Sequence, residues 1–403
     1  DLLVGLATVA WLAQGVARRR IVFRRPPLAV SLMVFVWLVG LSLTQASSWR
    51  EGLPEWLKWV EFAAVYLVGC QILTRRSSAR WLVVALLVAG SAEALLGIYQ
   101  FVRQVGPEAF VLMGRFMRAH GTFQQPNPYA GYLGYLLPVA ASLALGAIAR
   151  WWRDRTTPQA VTAGLYGLVA GLLAVGILMS WSRGAWMGAA ASALVVVGFR
   201  NRRTALLSLF AVLLLGLLIS MTGVEALPSS IGARLNDLGS YISGPDPART
   251  EITDANFSVL ERLAHWRAGW RMFEAHPWLG VGLGNYAVTY PEYQLPHWYE
   301  PLGHAHNVFI NFLAETGAFG VSAFLAFWIL TPVMLWRAAH ARGRGAWTSA
   351  LSIGVLGTWT YITVHSLFDN LFVQHIQLQL ALLLCAVVAA TGDRSSSGEA
   401  SLD

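Results

Sequence analysis

Charge is the scarcest feature of this chain. Only 12% of its 403 residues are Asp, Glu, Lys or Arg, while 56% are hydrophobic. A soluble domain carries roughly twice that share of charge, so an ordinary globular fold is excluded. Period-two alternation is missing too, which argues against a membrane β-barrel. Residues 205–220 and 371–390 have almost no polar face, where a soluble all-α protein would show one. Cysteine is limited to Cys70 and Cys385, both inside apolar runs. Neither a disulfide framework nor a cysteine metal site follows, and both read as small packing residues. No internal repeat and no nucleophile elbow is present.

What the chain has instead is apolar runs long enough to cross ~30 Å of hydrocarbon. Spans are predicted near 2–17, 28–45, 57–74, 81–102, 127–149, 160–181, 184–199, 204–224, 306–336, 347–365 and 370–391. The fold class is therefore all-α: a polytopic helical membrane protein with about 11–12 transmembrane helices and one large external loop. The first run is short and begins at Asp1 without a methionine, which reads as an N-terminal truncation. The domain reading is 1–224 for the N-terminal spans, 225–305 for the large loop, 306–391 for the C-terminal spans and 392–403 for a disordered tail.

The net charge is +8, yet nucleic acid is not the expected partner. The basic residues sit between apolar runs rather than on one soluble face. Eighteen of the 29 Lys+Arg fall in alternate short connections, for example Arg75, Arg76 and Arg80, or Arg150, Arg153 and Arg155. By the positive-inside rule these connections are cytoplasmic. The eleven remaining basic residues oppose that bias. Arg50, Lys58, Arg234 and Arg249 read as surface solvation. Arg118, Arg183, Arg262, Arg267 and Arg271 point to an anion site on the outer face.

The outer connections hold the chemistry. One carries Arg118-Ala119-His120-Gly121 and then Pro126-Asn127-Pro128. The two prolines disfavour regular helix around Asn127, so the stretch reads either as a cavity lining, since irregular backbone at membrane depth lines a cavity or is buried, or as a turn that starts the next span. Another is the hairpin Ser180–Trp186, where small neighbours leave the Arg183 guanidinium open to a phosphate. The longest connection contains a predicted amphipathic helix near Phe257–Glu274. Leu260, Leu263, Trp270 and Phe273 are assigned to one side and Arg267 and Arg271 to the other. Gly280, Gly282 and Gly284 read as a flexible turn sooner than a phosphate loop. His297, Trp298 and Tyr299 read as either a sugar-stacking face or an interface anchor. His304 and His306 stand where the chain re-enters the membrane. Asn307, Asn311 and Glu315 then recur at helical spacing, a polar stripe on an apolar helix. His365 and Asp369, at i and i+4, are expected to pair.

Arginines with a histidine suit transfer from a diphosphate-activated donor to a hydroxyl. The imidazole takes the hydroxyl proton and fixed positive charge stabilises the departing diphosphate. A zinc site is not expected, because His304 and His306 are only two ligands and no Cys, Asp or Glu stands at suitable local spacing.

Taken together, these motifs resemble the O-antigen ligase and polymerase superfamily. The matching pieces are Gly121-Thr122-Phe123 with Pro126-Asn127-Pro128, Ser180–Gly184, Arg262–Trp266, Pro277–Asn285, His304–Asn307 with Glu315-Thr316-Gly317, and His365–Asp369. The resemblance implies a GT-C type glycosyltransferase of the bacterial inner membrane, with its site facing the periplasm and no metal or other cofactor. It implies that the donor is an undecaprenyl-diphosphate-linked glycan and that transfer inverts the anomeric centre. On this chain His306 matches the family's base, with His304 as second candidate. Arg183 and Arg262 match the diphosphate-binding pair, and Arg118 and Asn127 match lesser positions. Arg267, Arg271, Asn307 and Glu315 are further substrate-binding candidates from the residues themselves. The acceptor expected first is a lipid A–core hydroxyl. A polymerase or a protein O-oligosaccharyltransferase would use the same donor, and a lipid-linked glycan transporter is the reading from a different class. Membrane lipids are the other expected partner, and the oligomeric state is open.

Overall fold

The structure is a computed structural model that describes residues 2–17, 19, 23–112, 114–222, 244–253 and 256–392. Arg234, most of the segment before residue 254 and the tail from residue 393 lie outside the described residues. Helix dominates because these sequences leave the backbone no other internal partner in hydrocarbon. The spans are α1 (Leu2–Ala17), α2 (Ala29–Ser42), α3 (Trp49–Ile72), α4 (Arg76–Arg103), α5 (Pro126–Asp154), α6 (Thr157–Met179), α7 (Arg183–Gly198) and α8 (Arg202–Thr222). After the large loop come α9 (Phe257–Ala275), α10 (Tyr286–Tyr293), α11 (Val308–His340), α12 (Ala346–His365) and α13 (Ile376–Gly392). One two-stranded hairpin, Val111–Leu112 with Phe116–Met117, is the exception among the described residues. Each predicted span has its helix, so the chain is an all-α polytopic membrane protein.

Helix α12 is the central post. It packs against α5, α7, α11 and α13, and nearly every residue from Trp347 to Ile362 is buried. At the arginine-rich end, Arg76 and Arg80 lie over the Trp347 ring. There also His340 Nε2 meets the Phe199 carbonyl at 3.1 Å, and Arg344 donates to the Thr391 carbonyl at 2.6 Å. Alternate connections thus meet at one end, which leaves the connections carrying Arg118, Arg183, Arg262 and the histidines together at the other.

Two expectations change in the large loop and the helix after it. Helix α11 is not one uninterrupted span. Gly317 has φ 59° and ψ −163°, a conformation open only to glycine, and it separates a short first segment (308–316), which carries Asn311 and Glu315, from the apolar span. Phe312 and Phe324 stack across the break at 4.3 Å and join a cluster with Phe35 and Trp59. The Gly280–Gly284 turn is not flexible. It is wedged against the break: the amide of Val281 donates to the Ala314 carbonyl at 3.0 Å and that of Gly282 to the Glu315 carbonyl at 2.9 Å. A Cβ on Gly317 would sit 2.4 Å from the Trp278 carbonyl carbon, and one on Gly280 2.3 Å from that of Glu315.

Helix α9 is amphipathic, and its buried side keeps Leu260 and Leu263 of the one assigned but not Trp270. Leu260, Ala264, Ala268 and Met272 face the interior, against α10 and α11. Trp270 is half exposed, while on the packed side α11 comes so close at Gly269 that a Cβ there would sit 2.8 Å from Ile310 Cγ2. Gly317→Ala is expected to cost at least ~1–3 kcal/mol, the strain of a non-glycine residue in that region. A fall in melting temperature of the detergent-solubilised variant would register it, and an unchanged Tm would show that the break is not required.

Candidate functional site

The site is assembled by the short turn after α12. The Ser366 carbonyl accepts from the Val308 amide at 2.9 Å, the Leu367 carbonyl from Asn307 Nδ2 at 3.2 Å, and the Phe368 carbonyl from Arg262 Nε at 3.1 Å. Asp369 follows, buried, with its carboxylate turned inward. Its Oδ2 accepts from Asn127 Nδ2 at 2.5 Å, and its Oδ1 lies 3.9 Å from both His304 Nε2 and His306 Nδ1. Four chain segments thus meet at one carboxylate. Asp369 does not pair with His365, contrary to the i,i+4 expectation. His365 Nε2 instead faces Ser182 Oγ at 3.4 Å, beneath the Arg183 hairpin.

Three arginines from separate connections surround one cavity of about 210 Å³, with Asn127 and Asp369 in its lining. Arg118 donates through Nε to the Ser180 carbonyl at 2.8 Å and through Nη2 to Asn127 Oδ1 at 3.0 Å. Arg183 and Arg262 converge on a single residue. Arg183 Nη2 donates to Ser258 Oγ at 2.7 Å and Arg262 Nη1 to the Ser258 carbonyl at 2.7 Å. Trp181, two residues before Arg183, has φ 54°, and His306 has φ 53°. Non-glycine residues in this region carry local strain of the kind that gathers at binding sites.

The histidines lie on the far side of Asp369 from the arginines, and neither lines the cationic cavity. Their hydrogen bonds distinguish them. His304 Nδ1 accepts from the His306 amide at 3.0 Å, so in its neutral form the proton is on Nε2, directed at Asp369. Among the described residues, neither ring nitrogen of His306 has a partner at hydrogen-bonding distance, and Nδ1 is the one nearer Asp369. Burial, then the neighbouring charges of His306 and Arg262, pull the His304 pKa down to about 4 despite the opposing pull of Asp369. His265, stacked on Tyr290, is pulled down to about 3, chiefly by burial. Burial alone would raise the Asp369 carboxyl. The adjoining histidines and Arg262 outweigh burial and hold it well below the usual carboxylate range.

A second cavity, of about 420 Å³, abuts the histidine side and includes His304, Asn311 and Asn370 with Glu51, Glu55 and Glu315. Lys58, the chain's only lysine, is part-buried and paired beside it rather than solvated. Lys58 pairs with Glu55 and donates to the Phe372 carbonyl at 2.9 Å.

Several candidates have structural duties. Asn307 caps α11, its Oδ1 accepting from the amides of Phe309 and Ile310 at 3.0 and 3.1 Å. Glu315 accepts from the Tyr286 amide at 3.1 Å and so caps α10, while still facing the second cavity. Asn311 holds the Ala305 amide at 3.0 Å. Arg267 and Arg271 are not in the cationic cavity. Arg267 pairs with Asp246 at 2.5 Å, and both line a separate groove. Trp298 is buried, its Nε1 donating to the Pro247 carbonyl at 2.9 Å, which removes it as a stacking face. Asp369 supplies the carboxylate that local spacing lacked. His304, His306 and Asp369 bring three donor atoms within 4.8 Å of one another, a set able to hold a metal ion.

Fold and site together define a multi-pass membrane protein with a polybasic, histidine-flanked cleft at one end of its bundle. Residues 168–325, which include Arg183, Arg262, His304 and His306, match the family model described as O-antigen ligase. No curated protein matches the chain.

The His304 geometry sets a pH dependence. In the unfolded chain His304 takes up a proton below about pH 6.5. In the fold it resists protonation down to about pH 4. The unfolded state then binds the extra proton, so stability falls as pH drops from about 6.5 towards 4. His304→Asn keeps an acceptor for the His306 amide and removes the titration. Thermal melts across that window should show a shallower pH slope for the variant, by roughly 1–3 kcal/mol in total; parallel slopes would contradict a buried neutral His304.

Proposed function

We propose that this protein is a membrane glycosyltransferase of the O-antigen ligase type. It moves a glycan from undecaprenyl diphosphate to a hydroxyl, in first place a lipid A–core hydroxyl, on the periplasmic side of the bacterial inner membrane. The orientation follows from the arginine-rich connections at the opposite end of the bundle, which the positive-inside rule assigns to the cytoplasm. The observation that carries the reading is Asp369, which joins the three-arginine cavity to an imidazole whose ring nitrogens are otherwise unengaged.

The chemistry follows from that junction. The donor diphosphate occupies the cavity among Arg118, Arg183 and Arg262, where guanidinium forks match phosphate oxygens. Asp369 orients His306 with the proton on Nδ1, which leaves the Nε2 lone pair as base. The acceptor hydroxyl enters from the second cavity, whose carboxylates repel a phosphate and accept from sugar hydroxyls. His306 Nε2 takes the hydroxyl proton as the acceptor oxygen bonds to the anomeric carbon. The bond from that carbon to the diphosphate oxygen breaks, and its electron pair leaves on undecaprenyl diphosphate, neutralised by the arginines. Attack opposite the leaving group inverts the centre. No step requires a metal. A polymerase or a protein O-oligosaccharyltransferase would use the same parts with a different acceptor. A transporter is disfavoured because these charges cluster at one end of the bundle rather than along a path through it.

His306→Ala is expected to lower transfer by about 10²–10⁴-fold in a purified assay, the usual contribution of a general base, while donor binding persists. Full turnover by that variant would remove His306 from the role. Arg183→Ala and Arg262→Ala should instead weaken donor affinity in a salt-dependent way, and unchanged affinity in both would rule out a diphosphate clamp. A chelator should leave the rate unchanged, whereas a loss that zinc restores would transfer the role of His304, His306 and Asp369 to metal binding.

A further inference from the structure

The groove that holds Arg267 and Arg271 is not an isolated surface feature. Ser258, Arg262, Trp266, Trp270 and Glu274 are spaced four residues apart on α9 and form a single ridge. The first two line the cationic cavity. The last three line a groove of about 390 Å³, with Arg267 and Arg271 along its flank. Each step along the ridge advances about 6 Å, so the groove begins one helical turn beyond Arg262. Trp270 is 51% exposed, and its Nε1 donates to Glu274 Oε1 at 2.7 Å, which fixes the plane of the indole. Arg267 is held by Asp246 and Arg271 reaches the Tyr293 carbonyl at 3.4 Å, so the flanking cations are also positioned.

We propose that this ridge is the track for the donor's glycan. The inference rests on the assignment of the diphosphate to the arginine cavity. A sugar joined to a diphosphate at Arg262 continues onto Trp266 and Trp270, whose broad apolar faces suit the C–H face of a pyranose. The Arg267 and Arg271 guanidiniums and the Glu274 carboxylate then offer donors and an acceptor to ring hydroxyls. An interfacial anchor would also use tryptophan and arginine. The i,i+4 row that leads from the diphosphate-facing Ser258 and Arg262 to Trp266 and Trp270 of the groove favours the glycan, because a lipid headgroup has no reason to begin at Arg262. The ligand class is a short oligosaccharide on a lipid diphosphate, recognised beyond its first sugar.

The test compares two probes on the whole protein in nanodiscs: bare undecaprenyl diphosphate, and undecaprenyl diphosphate carrying an oligosaccharide of several sugars. Wild-type protein should bind the glycan-bearing probe more tightly. Trp266→Ala/Trp270→Ala should weaken that binding by about tenfold, equivalent to ~1.4 kcal/mol, and leave the bare probe's affinity unchanged. Trp270→Phe, which keeps a stacking face, should retain most of the gain. Equal loss for both probes would mean that the groove serves the carrier lipid or the bilayer and would overturn the track. A wild-type protein that binds both probes alike would overturn it as well. Arg262→Ala is the control on the underlying assignment: if it leaves both affinities intact, the diphosphate site is wrong, whatever the tryptophans do.

Discussion

The buried carboxylate of Asp369 is the constraint on which the site depends. A lone carboxylate cannot remain charged in an apolar bundle without partners, and this one gathers them from the whole chain. Asn127 comes from the start of α5, His304 and His306 from the end of the large loop, and Arg262 from α9 contributes its charge. The turn that carries Asp369 holds two of these segments, the end of the large loop and α9, by its backbone carbonyls as well. Charge and backbone pairing therefore make the same junction. Loss of the carboxylate would leave Asn127 Nδ2 without its acceptor and two imidazoles without an orienting partner.

That junction also divides the site by electrostatic sign. Arginines occupy one side, carboxylates the other, with the histidines beside the dividing group. The proposed two-substrate transfer would need this asymmetry. The anionic leaving group must be held where its charge develops, and the neutral nucleophile must approach from elsewhere. The Gly280–Gly317 wedge keeps the acidic side in place, because it anchors the loop before α10 to the broken start of α11.

Much of the fold was legible in the sequence because hydrocarbon thickness and backbone satisfaction leave few choices. Each apolar run became a helix, and the alternate arginines gathered at one end. The convergence of Arg118, Arg183 and Arg262 was legible only as a shared sidedness, since each opposes the topogenic bias. Asp369 was misread because i,i+4 spacing suggested His365, yet α12 ends at His365 and the following turn swings the carboxylate away. Asn307 also caps α11, a role the sequence did not display because it depends on where α11 starts. Lys58 read as solvated because nothing local showed that Phe372 would come to meet it. Arg267 and Arg271 share a helix with Arg262 but lie around its circumference, which a linear motif does not display.

The most direct test of the account is an experimental structure of the protein with undecaprenyl diphosphate bound. The account predicts the two phosphates between Arg118, Arg183 and Arg262, with Asp369 separating them from His306. Phosphate density seated instead on Arg267 and Arg271, or within the Glu51 and Glu55 cavity, would contradict it.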